Sequence, residues 1–239
     1  MALPKLNSPT YQLELPSTGE KLKFRPFLIK EQKILMMAQE SGEDVQLFQA
    51  MKGLVTACTF GKVDAENSPV FDIEYLFLQI RAKSVGETTT INIICPDDGK
   101  TQVPALINID SIKVQKSEDH ESDIKLDDTY TLRMKYPSLN EFIKSNFAGA
   151  VDDMNVDDTF DLIASCIEQV YSEEESWSSA DCTKKELKDF LEQLDSKQFK
   201  MIEKFFETMP KLSHTVTVIN PNTKKENKIV LEGLQNFFG

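Results

Sequence analysis

The strongest constraint on this chain is a recurring pattern of short alternating segments broken by tight polar turns. It appears in "YQLELPSTGEKLKFRPF", "INIICPDDGKTQV", "DIKLDDTYTLRMKYPS" and "LSHTVTVINPNTKKENKIVLEGL". Period-two alternation on either side of a Pro, Gly, Asn or Asp turn predicts antiparallel β-hairpins, because successive strand side chains point to opposite faces. An isolated hairpin is marginal in water, so each needs a helix or a further strand on its apolar face. The intervening sequence supplies helices. Ile34, Leu35 and Ala38, then Val45, Phe48, Met51, Leu54 and Val55 recur at helical spacing, with Gly42 a break and Gly61 a stop. "SPVFDIEYLFLQIRAKSVGE" predicts a helix running to Ser84, with Asp72 suited to its N-terminal end. Strands are expected at Thr89–Ile94 and Gln102–Ile109. Further helices are expected at Leu139–Phe147, Thr159–Tyr171, Thr183–Leu194 and Ser196–Met209. "TKKE" at Thr183–Glu186 has the form of a capping box. Hairpins and helices in this mixture predict the α+β class.

The polar, charged stretch "VQKSEDHES" reads as a linker or exposed loop. It divides the chain into an expected N-terminal α+β lobe, 1–115, and a C-terminal α+β lobe, 116–239, packed separately or as one domain. Both halves run in the order hairpin, basic-aromatic-proline exit, helices, hairpin. That order is what an internal duplication would leave, and short α+β patterns also recur by chance.

With 239 residues, 40% of them hydrophobic, the chain can bury a substantial core. Its net charge of −12 argues against nucleic acid, whose binding needs a dense basic face, and against an anionic membrane surface. No stretch approaches the roughly 18 apolar residues of a membrane helix, and "MALPKLNSPTYQ" has no signal-peptide pattern. Cys58, Cys95, Cys166 and Cys182 lack paired spacing, which fits a reducing compartment and small buried hydrophobes.

The turn after Cys95 resembles half of a zinc knuckle, but Asp97 and Asp98 stand where a second thiolate is needed. One soft ligand beside hard carboxylates makes a poor tetrahedral zinc site, so no metal and no cofactor are expected. His120 and His214 have no triad-like company and read as surface or interface residues. The acidic clusters at Val151–Asp158 and Ser172–Ser176 read as solvated loops or helix starts, and there is no phosphate-cradling glycine loop. No enzyme and no small-molecule substrate are expected. Apolar surface at chain and helix ends stands out instead: Phe205, Phe206 and Met209 at one helix end, and Phe237 and Phe238 near the last residue. These either dock on their own core or, as aromatic anchors, on a neighbouring protein. With Arg25 and Phe27 of "RPF" they form the candidate partner-binding set.

Four stretches carry a family resemblance: "KFRPFLIKEQKILMMAQESG", "FDIEYLFLQIRAKSVGE", "FFETMPKLSH" and "LEGLQNFF". In this order, from about Tyr11 to Phe238, the chain resembles the baseplate hub subunits and hub-assembly proteins of T-even-like contractile-tailed bacteriophages. That family often carries cysteine pairs where this chain has "CPDDGK", a departure that weighs against a metal. The resemblance implies a non-enzymatic role in building the central hub of the tail baseplate, in the host cytoplasm, through contacts with other hub or tail proteins. Assembly factor or chaperone, and permanent hub subunit of the virion, both stay open. A metal-linked or hydrolytic hub enzyme is the rival from another class.

Overall fold

A computed structural model describes residues 6–147 and 156–233, and its architecture is α+β. The chain forms two compact units, residues 1–115 with 211–239, and residues 116–210. The second unit is therefore an insertion in the sequence of the first, whereas two consecutive lobes were expected.

The first unit opens with the hairpin β1 (Tyr11–Glu14) and β2 (Lys21–Phe24), whose Leu22 and Phe24 are buried. Helices α1 (Ile29–Ser41), α2 (Asp44–Cys58) and α3 (Val70–Val85) follow. Gly42 ends α1 in the left-handed conformation, at φ 67°. Helix α3 buries residues around most of its circumference, among them Phe71, Ile73, Leu76, Leu78 and Ile80. A helix apolar on nearly all sides belongs inside a core, and α3 is the centre of this unit. Strands β3 (Thr88–Ile94) and β4 (Gln102–Asn108) form the next hairpin, burying Ile91, Ile93, Ala105 and Ile107 on one face. A short strand, β5 (Lys113–Gln115), follows.

The second unit is built on β6 (Asp123–Lys125), β7 (Thr131–Met134), β8 (Ile167–Tyr171) and β9 (Ser176–Ser178), an antiparallel sheet in that order. Helices α4 (Leu139–Phe147) and α5 (Val156–Ser165) lie between β7 and β8 in sequence. Helices α6 (Lys184–Leu191) and α7 (Ser196–Thr208) follow β9. Ile124, Leu132, Met134 and Ile167 of the sheet pack with Ile163, Leu191, Ile202 and Phe205 of the helices. The expected box is present: Thr183 Oγ1 accepts from the Glu186 amide at 3.3 Å, and Glu186 accepts from the Thr183 amide at 2.7 Å. The expected helix Thr159–Tyr171 is half strand. After Ser165 the run Ile167–Tyr171 enters the middle of the sheet, where strand partners on both sides add to the strand preference of Ile167, Val170 and Tyr171.

The chain then returns to the first unit. Strand β10 (Lys211–Ile219) pairs with β5 and with β11 (Glu226–Glu232), giving the order β11-β10-β5. The final hairpin thus belongs with the first unit, so the two similar hairpins at 88–108 and 211–232 do not close two lobes. That arrangement does not confirm a duplication.

All three hairpins of the first unit use one turn. Leu15-Pro16, Cys95-Pro96 and Asn220-Pro221 open it, and the amide three residues after each proline donates back to the carbonyl before that proline. The distances are 2.8 Å for Gly19 to Leu15, 2.9 Å for Gly99 to Cys95 and 2.9 Å for Lys224 to Asn220. The donating residue is left-handed each time, at φ 71°, 67° and 61°. Proline fixes the first turn residue and glycine suits the last, yet the third turn uses lysine there. Lys224→Gly is expected to raise stability by about 0.5–1 kcal/mol, seen as a higher urea midpoint with an unchanged slope.

Candidate interaction surfaces

Each Pro-initiated turn is docked by its own polar residues. In the first, the Ser17 amide donates to Asp72 Oδ1 at 3.0 Å and its hydroxyl binds the same carboxylate, tying β1-β2 to the start of α3. The second and third bind each other. Asn220 Nδ2 donates to Asp97 Oδ1 at 2.8 Å, the Thr223 hydroxyl donates to Asp97 Oδ2, and the Asp97 amide donates to Asn227 Oδ1 at 3.1 Å. Asn222 Nδ2 adds a bond to Thr101 Oγ1 at 3.0 Å. The bonds from Thr223 and Asn220 hold the Asp97 carboxyl below the usual carboxylate range. Asp98 caps its own turn, accepting from the Thr101 amide at 2.9 Å and the Lys100 amide at 3.1 Å. Both aspartates of "CPDDGK" are therefore parts of a seam between two hairpins, and Cys95 is buried beneath it. Among the described residues no three His, Cys, Asp or Glu side chains are grouped to hold a metal ion.

Of the candidate contact residues, Arg25 turns inward. Its Nη2 meets Glu31 Oε1 at 3.0 Å, and its Nη1 donates to the Pro26 carbonyl at 2.9 Å and lies 3.7 Å from Cys58 Sγ. Both members of the Arg25–Glu31 pair are largely buried. Burial pushes the Glu31 carboxyl up, but hydrogen bonds from Arg25 and from the Leu28 amide outweigh it and hold the group below its ordinary value. This guanidinium is spent on fixing the entry to α1, and it offers little to a partner. Phe27 is half-buried, and its amide donates to Ser84 Oγ at 2.9 Å.

Phe205 is only 2% exposed, a core residue of its own unit and no anchor for another protein. Its ring lies 5.0 Å from His120 and 5.8 Å from Tyr136. Phe206 meets it edge-on at 5.3 Å and, like Met209, is half-buried. The two adjacent phenylalanines are accommodated because one points into the core and the other caps its rim. Phe237 and Phe238 lie outside the described residues.

His120, read from sequence as a surface or interface residue, is buried. Nδ1 is 3.0 Å from Thr208 Oγ1 and Nε2 is 3.2 Å from the Tyr136 hydroxyl. Thr208 donates its own hydroxyl to the Lys204 carbonyl at 2.7 Å, so it accepts from Nδ1–H, and Nε2 accepts from Tyr136. Burial, with Lys116 adding repulsion, lowers the pKa of this neutral imidazole below 6.5. The unfolded chain therefore binds a proton more readily, so the stability His120 supplies is complete above pH 6.5 and is lost as pH falls through its lower folded value. Between pH 7.5 and 5.5 the urea midpoint should fall, and His120→Gln should flatten that slope. Beside this cluster Asp119, Glu121, Asp123, Met201 and Lys204 line a groove of about 260 Å³ along β6.

The apolar surface that sequence reading missed is on α1. Ile34 recurs at helical spacing with Leu35 and Ala38, yet of the thirteen residues of α1 only Glu31 and Ala38 are buried. Ile29 is 80% exposed, Met37 59%, Ile34 56% and Met36 52%. These four residues give α1 an uncovered apolar face. The run "ILMM" held the signal, because four consecutive apolar residues cannot all face one core. Charge is also divided unevenly. Residues 116–210 hold 23 acidic and 11 basic residues, a net of −12, while the first unit holds 16 of each. Among the described residues no helix is long and apolar enough to cross a membrane.

No curated protein and no solved structure matches the chain. The model of the T4 bacteriophage base plate protein family, by contrast, matches residues 8–239, nearly its whole length. The chain, with its uncovered apolar helix and its acidic inserted unit, belongs to the T4 bacteriophage base plate protein family.

Proposed function

We propose that this baseplate protein acts in assembling the central hub of the tail, binding other hub or tail proteins in the host cytoplasm as an assembly factor and carrying out no catalytic step. The observation that carries the reading is the exposed apolar face of α1 in a chain of a baseplate family. Such a face is costly to leave in water and is retained where a protein surface covers it. The second unit, with its net −12, favours partners whose contact surface is basic, since complementary charge speeds encounter and fixes orientation. Co-expression with the remaining baseplate proteins and purification through a tag on this chain tests it. A salt-sensitive complex with a hub protein is expected, and a chain that purifies alone against every tail protein would sink the reading. Mass spectrometry of finished particles then separates the two roles, because an assembly factor leaves no stoichiometric peptides and a permanent subunit does.

A further inference from the structure

Two aromatic rings stand uncovered at one end of the second unit's sheet. Trp177 of β9 pairs with Val170, in a row that continues through Leu132 to Ile124, all three of them buried. The indole therefore leaves the sheet on its core side. Tyr130, two residues before Leu132, leaves on the same side and one step nearer the turns. The two ring centroids are 6.1 Å apart with their planes at 52°, and each residue is 41% exposed. Planes at that angle form an open notch, and among the described residues no cation lies over either ring.

The surroundings of the notch are strongly one-signed. Thr131, Tyr171 and Ser176 form the last row of the sheet, so the β6-β7 and β8-β9 turns emerge side by side. Residues 125–130 and 171–176 hold five carboxylates, Asp127, Asp128, Glu173, Glu174 and Glu175, and one ammonium, Lys125. All five are exposed, and Lys125 lies 3.7 Å from Asp128. Both turns are held from within. Asp127 Oδ1 accepts from the Thr129 and Tyr130 amides at 2.7 Å, and Ser172 Oγ accepts from the Glu174 and Glu175 amides at 3.3 and 3.0 Å. The opposite face of the same sheet already holds a guanidinium between a ring and a carboxylate. There Arg133 lies 5.5 Å over the Tyr171 ring, and Asp123 grips it at 2.7 and 3.0 Å.

We infer that the Tyr130–Trp177 notch receives an arginine side chain from an exposed basic segment of a partner protein. The guanidinium lies against the two rings, and the turn carboxylates meet the cations beside it. This deepens the reading that the second unit meets basic partners, and rests on it. Charge selects the occupant. A second copy would bring a unit of net −12 and a first unit with 16 charges of each sign. Nucleic acid and anionic lipid would bring more negative charge. Arginine suits the rings better than lysine, because a planar, weakly hydrated guanidinium stacks on an aromatic face while an ammonium keeps its water.

Titration of the full chain with a peptide of four glycine-arginine repeats tests this without any tail protein. Calorimetry reads the affinity, and the fluorescence of Trp177, the single tryptophan, reports on the notch itself. Saturable binding with a fluorescence change is expected, about tenfold tighter than for the glycine-lysine counterpart. Trp177→Leu keeps apolar cover at this edge position and removes the π face. By calorimetry it should bind the arginine peptide about tenfold more weakly, no better than the lysine one, while Trp177→Phe retains most of the preference. Glu173→Gln, Glu174→Gln and Glu175→Gln together should weaken both peptides and flatten their salt dependence. Equal affinity for the two peptides, or undiminished arginine binding by Trp177→Leu, would overturn the inference. Self-association of the parent that Trp177→Leu abolishes in sedimentation would also overturn it, giving the notch to a second copy. A hub complex recovered by co-expression from a chain that binds neither peptide would overturn this inference alone and leave the assembly role standing.

Discussion

Phe205→Ala is expected to destabilise the second unit by about 3–5 kcal/mol, the range for truncating a fully packed aromatic. The phenyl ring of Phe205 holds three neighbours at once: His120 at 5.0 Å, Tyr136 at 5.8 Å and Phe206 at 5.3 Å. Its loss leaves a cavity beneath a hydrogen-bonded imidazole that has no freedom to collapse inward, since both ring nitrogens are held. The chain's single tryptophan, Trp177, sits on β9 of the same unit, so its fluorescence follows that unit's unfolding in urea. Phe206→Ala provides the contrast. That side chain is half-buried at the rim, and its truncation should cost about 1–2 kcal/mol. Equal losses in the two variants, or a loss below 1 kcal/mol at Phe205, would contradict the placement of this ring at the centre of the unit.

Asn220→Ala is expected to cost about 2–3 kcal/mol and to loosen both hairpin ends of the first unit together. Asn220 is fully buried. Its Oδ1 accepts from the Asn222 amide at 2.9 Å and the Thr223 amide at 3.3 Å, while its Nδ2 reaches Asp97 across the seam. Alanine removes the cap of one turn and the bridge to the other, leaving the Asn222 and Thr223 amides and Asp97 Oδ1 without their partner. Hydrogen exchange should quicken at 97–101 as well as at 220–225, and acceleration confined to the mutated turn would count against the bridge. The same seam has a pH limit. Because the folded Asp97 carboxyl lies below its ordinary 3.8, its contribution is complete above that value and is lost as pH falls through the lower folded one.

Wherever a local rule was sufficient, the sequence stated the outcome. Alternation around proline turns located the hairpins β1-β2, β3-β4 and β10-β11, helical spacing located Leu139–Phe147 to the residue, and the Thr183–Glu186 box formed as written. Those features depend on neighbours within a few residues, as does the hydrogen bond from Gly99 to Cys95 that closes the turn of "CPDDGK", whereas Asp97 of that turn is held by Asn220, Thr223 and Asn227. The family too was legible, because it rests on long stretches in order.

Partners distant in sequence decided the rest. Ile167 to Tyr171 became a strand because β7 and β9 were available on either side of it. The last hairpin joined the first unit because β5 offered it an edge about a hundred residues upstream. Phe205 went inward and Phe206 to the rim according to where a histidine from the far end of the unit came to lie. On α1 the apolar residues stayed outside because its inner face was taken by a carboxylate paired with Arg25. Composition fixed a net charge of −12, and only the fold put all of it in one unit. Hydrophobic pattern says which residues seek cover, and tertiary structure says which of them find it. Those left exposed on α1 are the ones available to a partner.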